Sequence, residues 1–167
     1  ADKVLLSIGR RANCEGLGLE TIGVVCNRGI VTDGQCRTNV PGVFAVGDVN
    51  GHDMLAHTAY REAEVAVNTI LGREDVMKYE ANPSVIYTQP EIASVGVSEA
   101  DVDAGRYQGD VIKLSLHTNA RAKMMDVKEG FVKIIARKGS GTVIGGVVVG
   151  PRASELIFPI ALAVTQK

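Results

Sequence analysis

The sequence predicts two structural classes in series, an α/β portion followed by an α+β portion built on an antiparallel sheet. Three observations carry this. A short apolar run at 43–46 ends in Gly47-Asp48 and is followed by helically spaced apolar residues from Met54 to Leu71, the strand–turn–helix order of α/β folds. Residues 111–117 alternate apolar with polar, and two later apolar runs flank a glycine-bearing turn, the pattern of antiparallel strands. Between the two portions, Arg73 to Pro83 turns charged and carries a proline, a texture that marks a domain boundary.

Taken in order, residues 4–8 form an apolar run of the length expected for a strand buried on both faces. Residues 10–38 are rich in glycine and read as loops, with a short β candidate at 29–32. Pro41-Gly42, a turn pair, leads into the predicted strand 43–46. In the helix predicted over 54–71, Leu55, Ala59, Ala63, Ala66, Val67, Ile70 and Leu71 keep helical spacing, and Gly72 stands where a helix stops. A strand follows at 84–88. Ser98 caps a short helix to Gly105, with Asp101 at its third helical position in the manner of a capping box. In the strand at 111–117, Ile112, Leu114 and Leu116 share one face, taken as the buried one, while Lys113, Ser115 and His117 share the other. Strands at 131–137 and 143–149 flank the five-residue loop Lys138-Gly139-Ser140-Gly141-Thr142. Ser154 is positioned to cap a last helix through Lys167, whose start Pro159 bends or delays.

Composition excludes several function classes. The 167 residues are 46% hydrophobic and 22% charged, enough apolar material for a packed core and too much for global disorder. A net charge of −1 and an aromatic content of 4% without tryptophan argue against nucleic acid or a membrane as partner. The longest apolar run, residues 156–164, contains Pro159 and is half the length a spanning helix needs. Cys14, Cys26 and Cys36 fit no C-x-x-C or C-x-x-x-x-C spacing, which suits reduced thiols that pack as small hydrophobes. With no basic-then-apolar leader in view, a cytoplasmic location is expected. Residues 1–9 read as a strand already under way and the chain stops inside a helical pattern, so a fragment of a longer protein is expected.

The stretch most informative about chemistry is Thr38 to Asp48. A buried strand there delivers a carboxylate at its C-terminal end, just after a glycine that lets backbone approach a ligand, and such strand ends form the crevices where α/β sheets bind cofactors. A carboxylate in that place accepts hydrogen bonds from sugar-like hydroxyls; the alternative is a solvated strand-end turn. Six residues on, Met54-Leu55-Ala56-His57 opens the helix, and amide groups at a helix start favour electron-rich atoms. His52 reads as solvated loop and His117 as the wet side of its strand. No histidine pair has zinc-ligand spacing. The basic residues Arg121, Lys123, Lys128, Lys133, Arg137 and Lys138 are offset by Asp126 and Glu129 and read as a solvated face.

These segments resemble a family. Thr38 to Asp48 is similar to the second flavin-binding motif of the FAD-dependent pyridine nucleotide–disulfide oxidoreductases, in which the closing Asp binds the ribityl chain. Met54-Leu55-Ala56-His57 resembles the segment that meets the flavin pyrimidine edge through its backbone, and Val4 to Asn13 the close of the NAD domain, with Ala12 in place of the usual proline. Val85 to Gly96, Asn119-Ala120-Arg121-Ala122-Lys123 and Gly130-Phe131-Val132-Lys133-Ile134 resemble the interface domain. Within the family the register points to enzymes like dihydrolipoamide dehydrogenase over glutathione or mercuric reductases, although Gln89 stands where a histidine is common.

The resemblance implies an α/β remnant of the FAD- and NAD-binding domains followed by an α+β interface, or dimerisation, domain. Residues 1–10 would end the NAD-binding domain, 11–75 would be the C-terminal portion of the FAD-binding domain, and 80–167 the dimerisation domain. Asp48 and Gly47 would hold the FAD chain, Met54, Leu55, Ala56 and His57 would border its ring, and Gly9 would approach NAD. The family's redox cysteine pair and Gly-x-Gly-x-x-Gly fingerprints are missing from the sequence, and its acid/base His–Glu pair is expected beyond Lys167. The chain is therefore expected to carry no catalytic residue. The parent flavoprotein would be a homodimeric oxidoreductase, with an apolar face among residues 85–97 and 147–164 and with lipoyl-bearing 2-oxo acid dehydrogenase or glycine cleavage components as partners. The alternative is a non-catalytic dimerisation module.

Overall fold

The computed structural model describes residues 1–166; Lys167, the predicted end of the last helix, lies outside the described residues. The chain divides into two compact units, with the boundary between Met77 and Lys78.

The first unit is a set of turns gathered around one long helix, α1 (Ala56–Ile70). Gly72 ends α1 in the left-handed region at φ 71°. The amide of Gly72 donates to the Thr69 carbonyl and that of Arg73 to the Asn68 carbonyl, the paired bonds of a Schellman stop. The buried face is not the one the apolar spacing suggested. Thr58, Glu62, Val65 and Ala66 are buried, whereas Ala63, Val67, Ile70 and Leu71 are exposed. The helix carries two usable stripes, and spacing alone could not choose between them. Val65 and Ala66 pack with Cys36, Phe44 and Met77; a second small cluster joins Val24, Ile30 and Ala45 to Val40, Val43 and Val49.

None of the three strands predicted in this unit forms. Residues 4–8 have no regular structure and their apolar side chains are exposed, Val4 and Leu5 at 90%. A strand exists only as a pairing, and no neighbouring strand lies beside them among the described residues. The candidates at 29–32 and 43–46 shrink to single bridges, Cys26 with Ile30 and Arg37 with Phe44.

The second unit is a five-stranded antiparallel sheet of β1 (Ser84–Ile86), β2 (Glu91–Gly96), β3 (Gly109–Ser115), β4 (Phe131–Arg137) and β5 (Val143–Gly150), in the order β1-β2-β5-β4-β3. The β4–β5 hairpin turns through the five residues read as a loop, closed by the Arg137 amide on the Thr142 carbonyl at 2.8 Å. Two helices, α4 (Ala153–Leu156) and α5 (Phe158–Thr165), cover one face. There Ala93, Val95 and Val148 from the sheet meet Ala153, Ile157, Ile160, Ala161 and Val164 from the helices. Full burial of each larger aliphatic side chain contributes about 2 kcal/mol, so this cluster is the main store of stability in the unit. On the other face, α2 (Glu99–Asp103) brings Glu99 into an ion pair with Lys133. The predicted capping box is present: Ser98 Oγ accepts from the Asp101 amide and the Asp101 carboxylate accepts from the Ser98 amide. A last short helix, α3 (Ala120–Met124), is capped by Asn119.

Three expectations for this unit need correction. Ile112 and Leu114 share the helix-covered face, as register with Ile134 and Val132 requires, yet they are 53% and 64% exposed because they sit on the edge strand. Ser154 caps nothing; its amide and hydroxyl donate to Glu91 at 2.9 and 2.7 Å, and Arg152, at φ 57°, holds the cap position. Lys133 is not solvated, since its side chain is 15% exposed and contacts Glu99. Of the apolar face expected among residues 85–97 and 147–164, Ile86, Tyr87, Ile92, Leu156, Phe158 and Leu162 are exposed, while most of the remaining apolar residues pack in the chain's own core. Pro159 delays the last helix as expected, standing in the first turn of α5.

Candidate functional site

The candidate site lies in the first unit, where a framework of turns delivers the chain to Gly47-Asp48. One oxygen of Asp33 accepts from the amides of Gln35 and Arg37 at 2.8 and 2.9 Å. The amide of Ala45 then donates to the Cys36 carbonyl at 3.1 Å, and that of Thr38 to the Val43 carbonyl at 3.0 Å. Asn39 ties the same segment to its neighbour, accepting from the Val25 amide and donating to the Gly23 carbonyl. These bonds replace the ladder that the predicted strand would have had.

Gly47 is buried at φ 76°, a conformation that side-chain-bearing residues rarely adopt. A Cβ here would come within 3.3 Å of the Ala59 Cβ on α1. Its amide donates to the Glu62 carboxylate at 2.5 Å, and Glu62 is fully buried. The turn is thus bolted to the helix by a charge-assisted bond, which is stronger than a neutral one. Asp48 follows in a short 3-10 turn, Gly47–Asn50, with its side chain 54% exposed. Its one ionic partner among the described residues is Arg10, Nη1 to Oδ2 at 3.8 Å, an exposed pair of little strength.

Helix α1 begins from Leu55, which is extended at φ −128° and makes no side-chain cap. Met54 and Leu55 are half-buried, and Ala56 and His57 exposed. Met54 lines a cavity of about 550 Å³ together with Arg10, Arg28, Gly51, Cys14 and Cys26. Gly9 stands at φ 135°, with open space where a Cβ would be, and its neighbour Arg10 reaches Asp48. The predicted set is therefore gathered in part: Gly47 and Asp48 at the turn, α1 packed against that turn, and Met54 at the cavity.

Sequence reading missed three residues. Glu62 is the most consequential, a fully buried carboxylate whose bond to the Gly47 amide spans fifteen residues, so no local pattern signals it. Arg10, in a stretch that reads as loop, pairs with Asp48. Asn50 is 6% exposed, with its Nδ2 lacking a hydrogen-bond partner among the described residues. No cluster of three or more His, Cys, Asp or Glu side chains that could hold a metal ion occurs among the described residues.

The donor set fits a flavin nucleotide in kind. Asp48 offers an acceptor-only carboxylate to hydroxyl groups. A helix start without a side-chain cap offers amide donors to electron-rich atoms, and Asn50 adds an orphaned donor in the same turn. Gly47, without a side chain, lets the turn close against Ala59 on α1.

Comparison with known proteins agrees on lineage. A profile described as pyridine nucleotide-disulphide oxidoreductase matches residues 1–63, and one for the dimerisation domain of that family matches residues 82–167. The dihydrolipoyl dehydrogenase of Chlamydia muridarum is 43% identical over 168 residues, 99% of this chain and 36% of that protein. An NAD(P)H dehydrogenase (quinone) of Mycobacterium tuberculosis is 43% identical over 98% of this chain and 34% of its own length. Among solved structures, LpdA from Mycobacterium tuberculosis superposes with a TM-score of 0.88 at 43% identity, covering 96% of this chain and 36% of that one. The flavoprotein disulfide reductase RclA from Escherichia coli, at 20% identity and a TM-score of 0.79, shares the fold. The chain spans about a third of the length of the relatives it matches. With both units matched in order, this chain belongs to the pyridine nucleotide-disulphide oxidoreductase family.

Proposed function

We propose that this chain supplies the ribityl and pyrimidine side of the flavin site in a dihydrolipoamide dehydrogenase-like enzyme, and pairs two copies through its second unit. The observation that carries the reading is the Gly47-Asp48 turn, bonded to Glu62 and set against the start of α1 with its carboxylate exposed. Asp48 would accept from the ribityl hydroxyls, exchanging its weak ion pair with Arg10 for them. The backbone of Met54, Leu55, Ala56 and His57 would border the pyrimidine edge, and Gly9 would approach NAD. Residues 1–10, 11–75 and 80–167 then belong to the NAD-binding, FAD-binding and dimerisation domains. Bound FAD would carry electrons between a dithiol and NAD, a step no side chain here performs. The chain's part is to bind and orient, and alone it is expected to be inactive. The complete homodimer would serve lipoyl-bearing 2-oxo acid dehydrogenase or glycine cleavage components.

One observation favours a second reading, a pairing module without flavin: residues 4–8 leave their apolar side chains in solvent. Titration with FAD separates the two. The proposal expects a yellow complex of one flavin per chain, and roughly tenfold to a hundredfold weaker binding in Asp48→Ala, the loss of hydrogen bonds to a charged group. A colourless dimer indifferent to the substitution would favour the module.

A further inference from the structure

The three cysteines occupy different settings. Cys36 is buried, and burial, with Glu62 and Asp33 nearby, pushes its thiol up to about 11, so it is inert. Cys14 and Cys26 stand twelve positions apart yet line the same cavity, beside Arg10, Arg11 and Arg28. Cys14 is half-buried and its Sγ donates to the Val49 carbonyl at 3.7 Å. Cys26 is exposed at the base of a tight turn, fixed by its bridge to Ile30 and by the Asn27 amide on the Gly29 carbonyl at 2.8 Å. The two side chains are hydrogen-bonded to each other, which, with some burial, holds the Cys26 thiol above its ordinary value.

We propose that Cys14 and Cys26 form a dithiol that small-molecule disulfides such as glutathione disulfide convert to an intrachain disulfide. The exposed Cys26 thiolate attacks one glutathione sulfur, the sulfur–sulfur bond of glutathione disulfide breaks, and one glutathione thiolate leaves. The Cys14 thiolate then attacks the Cys26 sulfur of the mixed disulfide and expels the second. Two protein thiols are oxidised, one glutathione disulfide is reduced to two glutathiones, and the two thiol protons pass to the leaving thiolates. Arg10, Arg11 and Arg28 at the cavity favour the anionic glutathione. The exchange involves only the two protein thiols and glutathione disulfide, so its chemistry requires no flavin.

The test incubates the intact chain with glutathione disulfide, without flavin, and follows mass and thiol alkylation. The expected result is the loss of two hydrogens and of two alkylatable thiols, leaving Cys36. Cleavage after Glu15 and Glu20 should give fragments that stay joined through Cys14 and Cys26 until reductant is added. Cys14→Ser should instead stop at a glutathione adduct on Cys26. A lasting adduct on Cys26 in the unsubstituted chain, pairing with Cys36, or a covalent dimer would overturn the proposal. So would an equal preference for the 14–26 pairing in denaturant, where chain separation alone acts.

Discussion

The two units solve the same problem of satisfying backbone groups by different means. The second does so internally: five strands pair in register, and two helices close one face over a continuous aliphatic cluster. The first has one long helix, two small clusters and a web of turn hydrogen bonds, with several bonds made by side chains such as Asp33 and Asn39. Its special backbone position, Gly47, is anchored by a buried carboxylate. The difference teaches where stability and function reside. A unit stitched from turns leaves its carboxylate and helix start available to a ligand, whereas a paired sheet spends its polar backbone on itself.

Glycine substitutions should break this contrast most sharply. Gly96, at φ 72°, would place a Cβ 2.3 Å from the Ile144 carbonyl oxygen, so Gly96→Ala should destabilise the second unit by about 4 kcal/mol, overpacking and backbone strain together. Gly47→Ala faces a softer obstacle in the Ala59 Cβ, and about 2 kcal/mol is expected there. Denaturant melts followed separately in each unit by NMR check both values, and equal effects would contradict the contrast. Core truncation comes next. Ile157→Ala, at a 1% exposed position, should cost about 3 kcal/mol, and Val65→Ala in the smaller cluster about 2 kcal/mol.

Acid should act on both units in the same window. Hydrogen bonds from Arg61 and Asn68 hold Asp75 at about 2, and those from Ser98 and Arg106 hold Asp101 at about 2. A carboxylate lowered in the folded state contributes stability in full above its ordinary value, near 4, and loses it as pH falls through about 2. Both units should therefore weaken between about pH 4 and pH 2. Asp101→Asn should remove part of that dependence from the second unit only, as read by acid titration of its amide resonances.

Legibility in the sequence followed how local each feature is. The β4–β5 hairpin, the Ser98–Asp101 box and the Gly72 stop are short-range devices, and their residues announce them. Residues 4–8 misled because an apolar run reads the same with or without a partner strand. Ile112 and Leu114 alternate correctly but lie on an edge, and the stripe on α1 was misassigned because Val67 and Ile70 are as apolar as Val65 and Ala66. At the site, Gly47-Asp48 was visible as a glycine followed by an acid. Glu62 was not, because its bond to the Gly47 amide spans fifteen residues and no local pattern encodes it.

The central claim is that the first unit is arranged to receive FAD while the second is complete without it. Amide hydrogen exchange of the chain with and without FAD tests this directly. The account predicts slower exchange at Gly47 to Gly51 and at the first turn of α1 when FAD is added, with the five strands unchanged. Unchanged exchange throughout the first unit at saturating FAD, or protection confined to the sheet, would contradict it.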